Sequence, residues 1–172
     1  MHYSIALVGL NHRTAPVEIR ERFALTDTTP EDLEILHDMS PVREVMLLST
    51  CNRVEILAVS AQGVNPADEI IRAWEQACGA EPGTLAEYTY VHNDLQAVRH
   101  IFRVASSLDS MVLGEPQILG QLKDAYRQAV EGNTSRVIIN RLMHKAFSVA
   151  KRIRTETANA QSPVSTRHAP LE

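Results

Sequence analysis

Cysteine is scarce in this chain: 172 residues hold two, Cys51 and Cys78, 27 positions apart. Such a pair makes neither a disulfide framework nor a metal cluster. The seven histidines show no H-x-x-x-H or Cys/His ligand spacing, so no protein-bound metal is expected. Aromatics are only 5% of the residues, so the core should be mostly aliphatic. No apolar run approaches the ~20 residues of a membrane span, and the N-terminus lacks the three regions of a signal peptide. A cytoplasmic address, with no membrane partner, is the expectation. Glycine-rich phosphate loops and dinucleotide fingerprints are absent too, since Gly9 stands alone after its strand. The net charge of −4 argues against a general nucleic-acid coat, though not against a local basic patch.

Such a patch exists. No acidic residue lies between Glu131 and Glu156, whereas Arg136, Arg141, Lys145, Lys151, Arg152 and Arg154 do. This stretch is either a solvated helix face or a contact for phosphates or an acidic partner. Upstream, the order of elements is legible from periodicity and punctuation. Ser4–Leu10 reads as a buried strand, Val17–Phe23 as a short helix after Pro16, and Thr29 to His37 as a second helix start. Apolar runs on either side of Cys51 read as two strands. Asn65-Pro66-Ala67-Asp68 opens a helix with Ile70, Ile71, Trp74 and Ala77 at helical spacing, closed by Cys78-Gly79. Thr89–Val91 is a short strand. Strand, helix, strand, strand, helix, strand is the β-α-β-β-α-β pattern of ferredoxin-like domains. From His92 onward the pattern turns helical: a segment capped by Asn93, a helix from Glu115-Pro116 to about Glu131, and a long one from about Arg136 to Ala158. The fold class is therefore α+β, a ferredoxin-like part over 1–91 followed by a helical part over 92–160 that ends in a long helix.

The residues most suggestive of chemistry are Ser49-Thr50-Cys51-Asn52-Arg53. They place a thiol on a short connection, two residues from a guanidinium that favours the thiolate. A buried strand-end cysteine is the plain alternative, but Thr50, Asn52 and Arg53 all offer hydrogen-bond donors that such a residue does not need. Cys78 has no cationic neighbour in sequence and reads as structural. Arg53 could lower the thiol pKa or hold a carboxylate through two parallel hydrogen bonds. His100 falls opposite the stripe of Leu95, Val98, Phe102 and Ala105, at about 100° per residue. It is either solvated or faces a cleft as a general acid or base. Gln117 and Gln121 share a side with Asp124 and Gln128, as an outer polar stripe or as a hydrogen-bonding wall beside a site with Glu115.

Three segments resemble, in order, the signatures of the glutamyl-tRNA reductase family: Gly9–Glu21, Leu48–Arg53 and Ala105–Gln121. The resemblance covers positions 3 to about 165 and implies an NADPH-dependent oxidoreductase. It makes Cys51 a nucleophile that attacks the glutamyl-tRNA ester to give a thioester. NADPH then reduces the thioester to glutamate-1-semialdehyde, the first step toward 5-aminolevulinate and tetrapyrroles. It also implies that Thr50, Asn52, Arg53, Ser110, Glu115, Pro116, Gln117 and Gln121 line a glutamate pocket, with Arg53 on a carboxylate, and that His100 matters for activity. Family members continue into an NADPH-binding domain and a helical dimerisation domain, which this chain is not expected to contain. Residues 1–160 therefore read as the N-terminal catalytic domain, and 161–172 as the start of a linker plus a tail whose Leu171-Glu172 resembles an expression-vector scar. The expected partners are glutamyl-tRNA, a second copy in a homodimer formed elsewhere, and glutamate-1-semialdehyde aminomutase. The competing class is a non-catalytic tRNA- or protein-binding module, favoured by the basic stretch. A redox-sensor thiol is weaker, with no resolving cysteine nearby.

Overall fold

The computed structural model describes residues 3–25, 41–109 and 117–161. In chain order these form β1 (Tyr3–Asn11), α1 (Val17–Arg22), β2 (Val42–Ser49), β3 (Arg53–Ala61), α2 (Ala67–Ala77), β4 (Tyr90–Asn93), α3 (Leu95–Ala105), α4 (Gln117–Glu131) and α5 (Val137–Gln161). The strands make one antiparallel sheet in the order β2-β3-β1-β4, the arrangement expected of a ferredoxin-like part. The helix expected between Thr29 and His37 lies outside the described residues.

Strand alternation divides the sheet into two buried faces. Val8 and Leu10 of β1 and Val54, Ile56 and Ala58 of β3 pack under α1 and α2, with Phe23, Ile70 and Trp74. Trp74 closes this layer, as its indole N–H donates to the Phe23 carbonyl at 3.0 Å and its ring meets Phe23 edge-on. On the other face Leu7, Met46, Leu48, Leu57 and Val59 lie under α3, α4 and α5. The two helix groups thus sandwich a sheet whose central strands read as continuous apolar runs.

One boundary and two buried faces differ from expectation. Asn93 ends β4, and Asp94 occupies the α3 N-cap with φ +46°. Asp94 belongs to the sheet as well: its carboxylate accepts the Ile5 N–H at 2.9 Å, and its own N–H reaches the Ile5 carbonyl at 2.7 Å. The buried stripe of α3 is Ala97, His100, Ile101, Val104 and Ala105, rotated from the expected one, and Leu95 is 60% exposed. Ala77, expected on the core face of α2, is exposed, and Ala67 is buried in its place.

Glu44 supplies a long-range cap that no local motif announces. It is buried on β2, and its carboxylate accepts the N–H groups of Arg136, Ile138 and Ile139 at 3.0, 3.0 and 2.8 Å. These are among the orphan donors of the α5 N-terminus, where the helix dipole also favours a negative charge. The Val45 N–H donates to the Thr134 carbonyl at 2.9 Å, so the α4–α5 connection also covers part of the edge strand. Replacing Glu44 by Ala should lower stability by about 1–3 kcal/mol, the cost of stranding buried donors. Denaturant titration checks this, and an unchanged midpoint would remove Glu44 from the account.

Candidate active site

The face under α3 changes character along each strand toward the β2–β3 turn. On β3 the side chains run Val59, Leu57, Glu55, Arg53, and on β1 they run Leu7, Gly9, Asn11. Register pairs Gly9 with Glu55 on one side and with Tyr90 on the other, and pairs Asn11 with Arg53. A Cβ on Gly9 would stand 2.8 Å from Glu55 Cγ and 2.9 Å from the Tyr90 ring. Glycine there is what lets Tyr90 and Glu55 meet across the central strand.

They meet on one oxygen. Glu55, 2% exposed, accepts on Oε1 the Tyr90 hydroxyl, Arg53 Nη1 at 2.9 Å and His100 Nε2 at 2.6 Å. Burial pushes its carboxyl up. The His100 hydrogen bond and charge, the Arg53 charge and the Tyr90 hydroxyl outweigh this and hold it below the usual carboxylate range. Glu55 is therefore ionised, so His100 carries its proton on Nε2 and donates it. Nδ1 of His100 makes no hydrogen bond among the described residues, and the residue lines a cleft. Burial and the Glu55 charge raise the Tyr90 hydroxyl pKa, so that residue stays a donor.

Arg53 is only 1% exposed, and its terminal nitrogens are spent inside the protein. Besides Glu55, it binds the Asp109 carboxylate at 3.1 and 3.2 Å and the Asp109 carbonyl. Burial works against its charge, but Glu55, Tyr90 and Asp109 together raise its pKa. Asp109 arrives there because Ser107, with φ +58°, ends α3 in a left-handed turn closed by Leu108 N–H to the Arg103 carbonyl at 2.9 Å. In this structure the carboxylates of Glu55 and Asp109 hold both terminal nitrogens of Arg53. A buried guanidinium needs matched anions, and two protein carboxylates provide them.

Cys51 is exposed on the turn between β2 and β3. Thr50 builds that turn: its hydroxyl accepts the Asn52 and Arg53 N–H groups, each at 3.2 Å, and its N–H donates to the Arg53 carbonyl at 2.8 Å. The Asn52 carbonyl accepts the His12 N–H at 3.0 Å and ties the turn to the end of β1. His100 is 8% exposed, so it is not solvated; it lies under the sheet's polar end and faces a cleft. Gln117 and Gln121 are exposed on α4, and Gln121 lines a separate recess of about 220 Å³ with Ser49, Asp124 and Gln128. Ser110, Glu115 and Pro116 lie outside the described residues. Glu55, Tyr90, His92 and Asp109 escaped the sequence reading as site residues. A usable signal for Glu55 was its charge inside the apolar run Val54–Val59. Among the described residues no group of His, Cys, Asp and Glu could hold a metal, and no helix is long and apolar enough to cross a membrane.

A model of the family "Glutamyl-tRNAGlu reductase, N-terminal domain" matches residues 8–157. The chain belongs to that family. It is 59% identical over 172 residues to a glutamyl-tRNA reductase of Nitratidesulfovibrio vulgaris, an alignment that takes in residues 166–172 as well. It is 49% identical to that of Lawsonia intracellularis. It covers 39% and 40% of those proteins, so it spans about two fifths of the relatives' length. Among solved structures it resembles glutamyl-tRNA reductase from Methanopyrus kandleri, with a TM-score of 0.73 and 31% identity over 94% of this chain and 37% of that one. The three signature segments and the ferredoxin-like sheet order agree with this membership.

Two predictions follow from the network. Gly9→Ala should cost about 1–3 kcal/mol, as overpacking does, and should part Tyr90 from Glu55; chemical denaturation and tyrosine absorbance read both. Stability should also fall with acid in two stages. His12 and His92 are held below the ordinary value of 6.5, chiefly by burial, so the unfolded chain binds protons first and stability drops as pH falls below 6.5. Glu55 is held below 4.5, so its contribution is present above that value and lost as pH falls through the folded pKa. Melting temperatures across pH 3–8 check this, and Glu55→Gln should flatten the second stage.

Proposed function

We propose that this chain accepts the glutamyl group of glutamyl-tRNA on Cys51. The observation that carries the reading is an exposed thiol on a braced turn, at the end of the sheet where Glu55 holds Nε2 of His100. The Sγ–C bond forms, the ester C–O bond to the tRNA ribose breaks, and the ribose oxygen leaves as a hydroxyl with the proton lost by the thiol. His100 Nδ1 is the group suited to carry that proton, since Nε2–H is committed to Glu55. Splitting transfer from reduction in this way is covalent catalysis.

The family resemblance extends the proposal to the whole-length protein. There NADPH reduces the thioester to glutamate-1-semialdehyde, the protein is a homodimer, and glutamate-1-semialdehyde aminomutase is a partner. The described residues do not fit a dinucleotide. Gly9 is filled in by Glu55 and Tyr90 rather than open to a pyrophosphate, and the sheet is antiparallel with no glycine-rich strand-to-helix turn. No hydride step is therefore assigned to a residue of this chain. Within it, Thr50 and Asn52 shape the turn, and Arg53 positions Glu55 and Asp109. Ser110, Glu115, Pro116, Gln117 and Gln121 stand as glutamate-pocket residues on the resemblance.

A second reading, a non-catalytic RNA- or protein-binding module, has the exposed basic face of α5 in its favour. Thiol reactivity separates the two. Cys78 is half-buried, and burial raises its pKa. Iodoacetamide near neutral pH should modify Cys51 well before Cys78, and equal rates would favour the binding module. The direct test is incubation with glutamyl-tRNA followed by mass spectrometry. A hydroxylamine-labile glutamyl adduct on Cys51, absent in Cys51→Ser, is expected, and no adduct sinks the proposal. His100→Asn should slow acylation by about 10²–10⁴-fold, the usual worth of a general acid–base group. Glu55→Gln should shift the pH profile of acylation, which a purely structural role would not move.

A further inference from the structure

The outer face of α5 is a row of cations that acyl transfer to Cys51 does not use. At about 100° per residue, Arg141, Lys145, Ser148 and Arg152 point together, away from the buried Ile139, Met143, Ala146 and Ala150. All four are exposed. At 1.5 Å per residue the row is about 16 Å long. Lys151, one turn beyond Phe147, stands at its margin on the α4 side. Lys123 of α4 lies there too, 5.8 Å from the centre of the Phe147 ring. Arg152 is paired with Glu156 at 2.7 Å, whereas Arg141, Lys145 and Lys151 make no ion pair among the described residues. No acidic residue stands between Glu131 and Glu156 to balance them.

A protein partner would need an apolar or aromatic centre to bury. Past Val137 in its first turn, α5 has no exposed large apolar side chain among the described residues. Exposed cations in a straight row, with the Ser148 hydroxyl among them, are the groups that meet phosphate oxygens along a duplex backbone. Double-stranded RNA is bound by its shape and through such phosphate contacts. The placement fits the thiol as well. Tyr126 of α4 meets His144 and Phe147 of α5 ring to ring, at 5.7 and 5.9 Å, and Lys123 meets Phe147, so later residues of α5 lie beside earlier residues of α4. Gln121, on that early part of α4, shares a recess with Ser49, two residues before Cys51. The row therefore runs toward the end of the sheet that bears the thiol.

We propose that the outer face of α5, with Lys123 beside it, docks a double-stranded arm of the transfer RNA through its phosphates. This surface supplies affinity that is independent of sequence, while the acyl end lies at Cys51. The proposal rests on the reading of glutamyl-tRNA as the acyl donor, and it adds the surface that carries the body of the RNA. None of these cations belongs to the Glu55 network. Removing them weakens capture and leaves the chemical step at Cys51 unchanged.

The test uses this chain and uncharged RNA, so it does not depend on acyl transfer. A fluorescent RNA hairpin with a blunt stem and no single-stranded end is titrated by anisotropy at several salt concentrations. Arg141→Gln, Lys145→Gln and Lys151→Gln should each weaken binding and lower the salt slope by about 1. The triple variant should lower the slope by about 3 and the affinity by about 10-fold or more. A hairpin of scrambled stem sequence should bind as well as the first, because phosphate contacts carry no sequence information. The replaced side chains are all exposed, and unchanged melting temperatures verify that the variants fold. Arg72→Gln, on the opposite helix layer, should change nothing. An unchanged salt slope in the triple variant would overturn the proposal. So would displacement of the hairpin by polyglutamate at matched charge, which would make this face a contact for an acidic protein. With glutamyl-tRNA, the triple variant should need about 10-fold more RNA for half-maximal acylation and keep the maximal rate. Hairpin binding that the triple variant loses, with no Cys51 adduct in the parent chain, would sink acyl transfer and leave this surface standing. An adduct that the triple variant forms at the parent's RNA concentrations would do the reverse.

Discussion

The buried carboxylate of Glu55 is the constraint around which this half of the molecule is arranged. A carboxylate removed from water costs several kcal/mol unless charge and hydrogen bonds compensate it. Here a hydroxyl, an imidazole and a guanidinium converge on Oε1, while Oε2 is buried with no hydrogen-bond partner among the described residues. Meeting that requirement dictates the neighbours. β1 must have no side chain at Gly9, and α3 must turn His100 inward in place of a wholly apolar stripe. The chain after α3 must double back so that Asp109 can share Arg53. The imidazole that results has one nitrogen held and one available, which is the state a proton carrier needs.

Two other glutamates solve similar problems elsewhere. Glu44 ties the edge strand to the first turn of α5. Glu75, 2% exposed on α2, accepts the Gly83 and Leu85 N–H groups at 3.0 and 2.7 Å and pins the loop that leads to β4. Each adds a polar tie between elements that apolar packing also joins. The apolar layers set which face of the sheet meets which helices, and the buried carboxylates set where those helices begin and how they are rotated. Since the helix layers cover the sheet on both sides, the site opens only where apolar pairs such as Leu7 and Leu57 give way to Asn11 and Arg53.

Much of the architecture was legible beforehand. Continuous apolar runs around Ser49–Arg53 give two buried strands, and Pro16, Asn65-Pro66 and Gly79 punctuate the helices between strands, so the sheet's composition follows from period and punctuation. On α3 periodicity places Leu95 in the stripe, whereas the fold buries Ala97 and leaves Leu95 exposed, because helix rotation is set by packing rather than by residue type. The position of His100 off the apolar stripe was visible; that it lies under the sheet, bonded to Glu55, was not, because the bond spans 45 residues. Arg53 neighbours Cys51 in sequence, and strand alternation turns its side chain toward Glu55, a contact that adjacency does not reveal.

The amino-acid sequence by itself determined the order of the described strands and helices, the family signatures, and a place for Cys51 on a short connection; its exposure came from the fold. All of these are local patterns of residue type. Only the tertiary structure decided which charges meet. Burial makes an unpaired charge expensive, and register and helix rotation determine whether a partner lies within three ångströms. That is why Glu55, Tyr90, Asp109 and the cleft that His100 lines are properties of the folded chain.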